Sequence, residues 1–390
     1  MNGVRVIDLS AMASGPMATQ ILGDQGADVI KVEPPETGDL LRKIGRTRHG
    51  TSAVFVPINR SKRSVVLNLR DEEGVALAKR LIAGADVFVQ NFIPGAIDRM
   101  GLGYDVLRAI EPELIYVSIS GFGETGPYAR KKVYDSVMQG ISGMAGVQGR
   151  PGSGEPELVR HVVIDKHVAT TVAQAVSAAL FARERGAGGQ HIRIAMLDVA
   201  IAFLWPDAFQ SLTWVGDEED DAQKAGAFYG IRRSRDGFLL ITAFSDREFG
   251  GLCRALERTD LIEDPRFRSL EDRMRDWEPL HAILDEVIRG FDTADLCERL
   301  DRESIPNAPI NWPETLHEDP QVAHRGIIFD SEHPHWGPIR QAKPPVGFEG
   351  TPAEISRPTP MLGEHTDEVL RELGLDRAEL AALRERKVIS

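Results

Sequence analysis

The stretch 162–190, VVIDKHVATTVAQAVSAALFARERGAGGQ, runs an apolar segment into Asp165 and then into a long Ala- and Val-rich helical pattern. An aspartate at a helix start acts as a cap, because its carboxylate accepts bonds from N–H groups that have no partner inside the helix. The same placement favours the ionised form, since N–H donors and the positive helix end both stabilise a carboxylate. Asp165 is therefore expected to be ionised at neutral pH. An ionised carboxylate beside a thioester is also a covalent nucleophile. These residues alone leave cap and nucleophile both open. Two further features can meet an anionic ligand. The loop GFGETGP (121–127) is glycine-rich, which lets backbone approach a ligand, but it is neither GxGxxG nor a phosphate-binding Walker loop. Three basic clusters, Arg42/Lys43/Arg46/Arg48, Arg60/Lys62/Arg63 and Arg130/Lys131/Lys132, lie in the first 135 residues. The plain reading for most such clusters is solvated surface charge.

The elements that must position these residues alternate. Short β-branched runs occur at 4–10 (VRVIDLS), 27–33 (ADVIKVE), 64–69 (SVVLNL), 85–92 (ADVFVQNF) and 114–120 (LIYVSIS), with helical patterns between several of them. Continuous apolar strands separated by helices predict a parallel sheet covered on both faces. In such sheets ligands bind beyond the carboxyl ends of the strands. SAMASGP (10–16), QNFIPGA (90–96) and SGFGETGPY (120–128) sit at such ends. Over 166–185, Val168, Val172, Ala175, Val176, Ala179 and Leu180 share a helical face, and RGAGG supplies the stop. HIRIAMLDVAIAFLW (191–205) reads as a strand running into a helix. The predicted organisation is a large domain over 1–205, a linker over 206–225, a small α+β domain over 226–320, and a return to the large domain over 321–390. The acidic run GDEEDD (216–221) reads as a solvated loop, and the tail is proline-rich before one closing helix, HTDEVLRELG.

At 390 residues, with 42% hydrophobic and 27% charged residues, the chain has the composition of a soluble two-domain protein. Its net charge of −13 argues against general nucleic-acid binding. No apolar run approaches membrane-spanning length, and the N-terminus lacks the pattern of a secretory signal. Cys253 and Cys297 suggest neither a disulfide framework nor a metal site, so a reduced cytoplasmic setting is expected.

Seven stretches together resemble the class III CoA-transferase family, the CaiB/BaiF type that includes formyl-CoA transferase. They are GVRVIDLSAMASGPMATQILGDQGADVIKVE, NRSKRSVVLNL, ADVFVQNFIPGAIDRMGLGY, SISGFGETGPY, KKVYDSVMQGISG, the Asp165 helix with ARERGAGGQHIRIAMLDVA, and PTPMLGEHTDEVL. The resemblance implies an α/β fold: a Rossmann-like large domain with a parallel sheet plus a smaller α+β domain, in a homodimer whose protomers interlock like links of a chain. It implies no metal and no permanently bound cofactor, with coenzyme A entering and leaving as a substrate group. The implied reaction moves CoA from an acyl-CoA to a free carboxylic acid, with Asp165 as nucleophile.

By position within the family motifs, Asn91, Phe92, Arg99, Lys132 and Lys62 or Arg63 are the expected CoA contacts. The cations would meet phosphates. Tyr134 and Asp135 join Asp165 as expected catalytic residues. The α-methylacyl-CoA racemase branch carries a His-Asp pair where this sequence has Tyr134-Asp135. That substitution speaks against the isomerase alternative, which α-proton exchange with deuterated solvent would test. His161 and His167 flank Asp165 but do not match the racemase position and are read as helix-surface residues. A non-catalytic acyl-CoA-binding protein is the remaining alternative. It is disfavoured because Asp165 and the 132–135 motif are both present. A dinucleotide oxidoreductase is disfavoured because no GxGxxG follows the first strand. Ala13 and Ile44 stand where the formyl-CoA:oxalate enzymes carry a glutamine and a tryptophan. That makes oxalate a poor fit and favours a larger or more apolar acid.

Overall fold

A computed structural model describes residues 1–149, 154–216 and 230–390. The chain divides into two compact units. One comprises Met1–Gln148, Pro156–Pro206 and Arg325–Ser390; the other comprises Gly149–Glu155 and Asp207–His324. Most of the acidic run at 216–221 lies outside the described residues.

The first unit is built on six strands: β1 (Arg5–Asp8), β2 (Asp28–Glu33), β3 (Lys62–Val66), β4 (Val87–Gln90), β5 (Ile115–Ser120) and β6 (Gln190–Ala195). All neighbours pair in parallel, in the order β3-β2-β1-β4-β5-β6. The order reverses between β1 and β4, which opens a crevice at their carboxyl ends. Alternate strand residues explain why the strands read as unbroken apolar runs. Ile7, Ile30, Val65, Phe88 and Tyr116 pack into one core with the helices Glu72–Ile82, Tyr104–Ile110, Thr366–Glu372 and Arg377–Glu385. Val6, Val29, Val87, Val89, Ile115 and Val117 are equally buried on the opposite face. There the helix α1 (Ser14–Asp24) lies along α2 (Val163–Ala182), the helix that carries Asp165. Ile164, Val168, Val172, Val176, Ala179 and Leu180 are buried along α2, whereas Ala175, expected on the same face, is only half-buried.

Residues from the far end of the sequence complete this sheet. The edge of β3 is covered by 363–366: Ser64 N–H donates to His365 Nδ1 (3.3 Å), His365 N–H to Ser64 O (2.9 Å) and Val66 N–H to Thr366 Oγ1 (3.1 Å). Covering an edge strand in this way blocks pairing with another chain. A hairpin, Ile328–His333 with Gly337–Ala342, and the last helix, Arg377–Glu385 with its Asp376–Glu379 capping box, were not foreseen from the sequence.

The second unit contains the antiparallel strands Ile231–Arg233, Phe238–Ile241 and Asn307–Pro309, with Phe238–Ile241 in the centre. Its core gathers Leu239, Phe249, Leu252, Phe267, Leu284 and Leu296 from the central strand and the surrounding helices and turns. Ser245 and Glu248 form a capping box at the start of Asp246–Ala255.

Candidate active site

A cleft of about 920 Å³ opens at the carboxyl ends of β1, β4 and β5. It is lined by the turn Ala11–Ser14, by Asn91–Pro94, by Ser120 and Gly121, by Lys131–Ser136, by Leu158–Val162 and by Asp165. This is where the switch in strand order predicts a ligand.

The floor is built from buried charge. Asp8, at the end of β1, accepts from Ser10 N–H (3.0 Å), Thr19 Oγ1 (2.6 Å) and Lys62 Nζ (2.9 Å). Lys31 Nζ donates to Ser10 O (2.8 Å) and pairs with Asp39 (3.0 Å), whose other oxygen accepts from Met12 N–H (3.1 Å). Burial opposes ionisation of Asp8, but Lys62 and Lys31 outweigh it and hold the carboxyl well below its usual range. These bonds fix the β1–α1 turn in a conformation with Met12 at φ +67°, a left-handed geometry that costs a non-glycine residue about 1 kcal/mol. Gly15 is required next to it: a Cβ there would lie 2.2 Å from Ser10 Oγ.

Asp165 sits in the first turn of α2, half-buried, with its carboxylate beside the Ser14 hydroxyl at the start of α1. It is not the helix cap. That role falls to Asp135, whose Oδ2 accepts from the N–H groups of Ile164 (2.8 Å) and Asp165 itself (2.9 Å). The second oxygen of Asp135 accepts from Gln139 Nε2 (2.6 Å). The Gln139 carboxamide also donates to Val159 O (3.1 Å) and His161 O (3.2 Å) and accepts from Val159 N–H (2.9 Å). One helix, Asp135–Ile141, thus supplies two buried side chains that hold both the start of α2 and the segment leading into it. The expectation that helix placement favours the ionised form needs correction. Burial first, and the Asp135 charge second, push the Asp165 carboxyl up to about 6, with the Ser14 hydroxyl pulling it back. At pH 7 it remains mainly ionised, but as a more basic carboxylate than an ordinary aspartate.

The structure gathers Asp165, Asp135, Tyr134, Asn91, Phe92 and Lys132 around the cleft. Tyr134 is 60% exposed at its mouth, and Lys132 is exposed. Asn91 directs its carboxamide to the turn, accepting from Ala11 N–H (2.9 Å) and donating to Ala11 O (2.7 Å). Arg99 is exposed and does not line the cleft. Lys62 and Arg63, expected to meet phosphates, do not face the cleft at all. Lys62 is fully buried against Asp8, Pro16 O and Asn59, and Arg63 is enclosed by Asp28, Glu368 and Glu372. Arg42 and Arg60 are likewise buried on Glu33 and Asp24, so Arg42 and the Arg60/Lys62/Arg63 cluster form ion pairs in the core, whereas Lys43, Arg46 and Arg48 are exposed. Of the glycine loop, only Gly121 reaches the cleft, where a Cβ would lie 2.3 Å from Val133 Cγ1. Ala13 and Ile44 are both wall residues, as is His161, which precedes α2; His167 packs on Phe203. Ser14 and Gln139 were missed by sequence reasoning. Gln139 sits one helical turn after Asp135, the spacing at which its side chain reaches that carboxylate.

Residues 1–366 match the sequence model described as CoA-transferase family III. The chain belongs to this family. It is 36% identical to the succinate–glutarate CoA-transferase of Agrobacterium fabrum, over 96% of this chain and 95% of that protein. It is 33% identical to the human succinyl-CoA:glutarate CoA-transferase, over 96% and 86% of the two chains. Among solved structures, a CaiB/BaiF family protein from Brucella suis superposes with a TM-score of 0.82 at 34% identity, covering 95% of this chain and 98% of that one. The chain is thus a family III CoA-transferase with the mixed α/β architecture of CaiB/BaiF proteins. Among the described residues no helix is long and apolar enough to cross a membrane, and no group of three or more His, Cys, Asp or Glu residues is arranged to hold a metal.

Proposed function

We propose that this protein transfers CoA from an acyl-CoA to a free carboxylic acid through covalent intermediates on Asp165. The observation that carries this reading is the Asp165 carboxylate itself: raised to about 6, facing a large cleft, on a backbone fixed by Asp135. The carboxylate attacks the thioester carbonyl; the C–S bond breaks and CoA leaves as thiolate, giving an acyl-aspartyl anhydride. The thiolate attacks the aspartyl carbonyl, releasing the donor acid and leaving an aspartyl-CoA thioester. The acceptor carboxylate attacks that thioester, and the returning thiolate takes the new acyl group and frees Asp165. Each step exchanges one activated acyl group for another, so none faces a large uphill change.

In this reading Asp135 positions the nucleophile and Tyr134 stands at the mouth. Lys132 meets a CoA phosphate, Phe92 lines its path, and Asn91 acts mainly by holding the turn. Arg99 serves CoA from outside the cleft. The named relatives act on succinate and glutarate, both dicarboxylic acids, and that class is the first to try as acceptor. We extend the proposal to a homodimer with interlocked protomers. Phe181, Trp214 and Val215 expose 66%, 76% and 99% of their surface, the kind of apolar surface a second copy covers. Light scattering on the purified protein would test this, and a monomer would refute it.

The test of the chemistry is intact-protein mass after incubation with a panel of acyl-CoAs, with hydroxylamine as trap and peptide mapping of the product. Modification confined to Asp165 and lost in Asp165→Ala is the expected result. α-Proton exchange without an adduct would replace the reading by racemisation.

A further inference from the structure

The charges lining the cleft are sparse. The acidic ones are Asp165 and Asp135, both engaged in the nucleophile and its mount; the basic ones are Lys131, Lys132 and Arg160. Lys131 holds its ammonium over the rings of Tyr128 (5.0 Å) and Phe122 (6.0 Å). Arg160 is different. Its guanidinium has no hydrogen bond or ion pair among the described residues, and the residue is exposed at the cleft wall.

Its backbone is unusually well fixed. The residues on either side, Val159 and His161, are both bonded to the Gln139 carboxamide. Gln139 in turn is bonded to Asp135, which holds the N–H of Asp165. The root of Arg160 and the nucleophile are therefore tied to each other through two buried side chains. A free guanidinium on a backbone tied to that of the nucleophile is suited to hold a carboxylate that does not react, because its planar fork matches a carboxylate bidentately. The cleft walls are largely apolar, with Met12, Ala13, Ile44, Val54, Leu158 and Val162, and suit the methylenes joining two carboxyl groups. A monocarboxylic acid would leave the guanidinium unmatched.

Building on the CoA-transfer reading above, we propose that Arg160 is the specificity-determining residue of this enzyme: it binds the remote carboxylate of a dicarboxylic acyl group or acceptor. Succinyl-CoA and butyryl-CoA differ at that end by a carboxylate against a methyl group, and glutarate and pentanoate differ in the same way. The wild-type full-length protein should form the Asp165 adduct with higher kcat/KM from succinyl-CoA than from butyryl-CoA, and should accept glutarate over pentanoate. In Arg160→Met both ratios should fall by roughly 10- to 100-fold, the value of a charge-assisted pair. Arg160→Lys, which keeps the charge but not the fork, should fall between. Because Arg160 is exposed, neither variant threatens the fold. Unchanged ratios in Arg160→Met would overturn the proposal. So would an equal rise in KM for every acyl-CoA, which would make the guanidinium a contact to the CoA phosphates. Absence of any adduct from any acyl-CoA in the wild type would overturn the underlying transfer reading as well.

Discussion

Replacing Asp165 by asparagine should end acyl transfer and also make the protein more stable above pH 6. The carboxyl titrates at about 6 in the folded protein against 3.8 in its ordinary state. The difference of about 2 pKa units corresponds to roughly 3 kcal/mol at about 1.36 kcal/mol per unit, and solvent reaching this half-buried group trims it to about 2–3 kcal/mol. The sign follows from proton binding. Below pH 3.8 the carboxyl is protonated in both states and contributes no difference. Between 3.8 and about 6 the unfolded chain loses the proton while the folded chain keeps it, so stability falls as pH rises. Above about 6 the full cost is present. An asparagine carries no charge to bury beside Asp135 and avoids that cost. Urea unfolding of both proteins at pH 4.5 and pH 8 is the assay, with intact mass confirming that the variant forms no adduct. The variant should be more stable by the full amount at pH 8 and by only about a third of it at pH 4.5. Equal stability at pH 8, or the same gain at both values, would show that Asp165 carries no unfavourable charge in the folded state.

The same electrostatics sets the pH dependence of the reaction. The wild-type rate should fall as pH drops through about 6, and in Asp135→Asn that limb should move to lower pH because the neighbouring negative charge is gone; a limb that stays in place would remove Asp135 from the account. Gln139→Leu should lower kcat by roughly 10- to 100-fold with CoA affinity little changed, since it unties 159–161 from Asp135, and steady-state kinetics would show a loss confined to KM if this is wrong. Lys62→Met removes the cation bonded to the buried Asp8 carboxylate, leaving it Lys31 and its hydroxyl and N–H donors, and should cost about 3–5 kcal/mol in urea unfolding. A KM for acyl-CoA that rises while stability holds would restore Lys62 as a CoA contact.

What the sequence made legible follows the range of the interactions involved. The strands at 4–10, 27–33, 85–92 and 114–120 announced themselves because burial on both faces leaves continuous apolar runs. Their parallel pairing followed from the intervening helices. The helix under Asp165 was visible from its period, but its cap was not, since the carboxylate that provides it comes from Asp135, 30 residues earlier. The Arg60/Lys62/Arg63 cluster misled for the same reason. Arg60 finds Asp24 at a separation of 36 residues and Arg63 finds Glu372 at 309, and neither partner can be read from local charge. The hairpin at 328–342 was hidden by its turn, His333-Pro334-His335-Trp336-Gly337, in which the buried Trp336 and His333 stack 3.8 Å apart and do not resemble turn residues. Asp165, Tyr134 and Asp135 were singled out as candidates through motif resemblance, whereas Ser14, Gln139 and Arg160 required the folded geometry.

The covered edge of β3 has a consequence for how the protein is made. Val66 and the Thr366 hydroxyl that accepts its N–H are 300 residues apart. At translation rates of about 5–20 residues per second, the strand leaves the ribosome roughly 15–60 s before its cover exists. During that interval the nascent chain carries an open parallel edge that includes Arg63, whose partners Glu368 and Glu372 have not been synthesised. A ribosome stalled before residue 363 should therefore release an aggregation-prone product, although every residue lining the candidate cleft has already been translated.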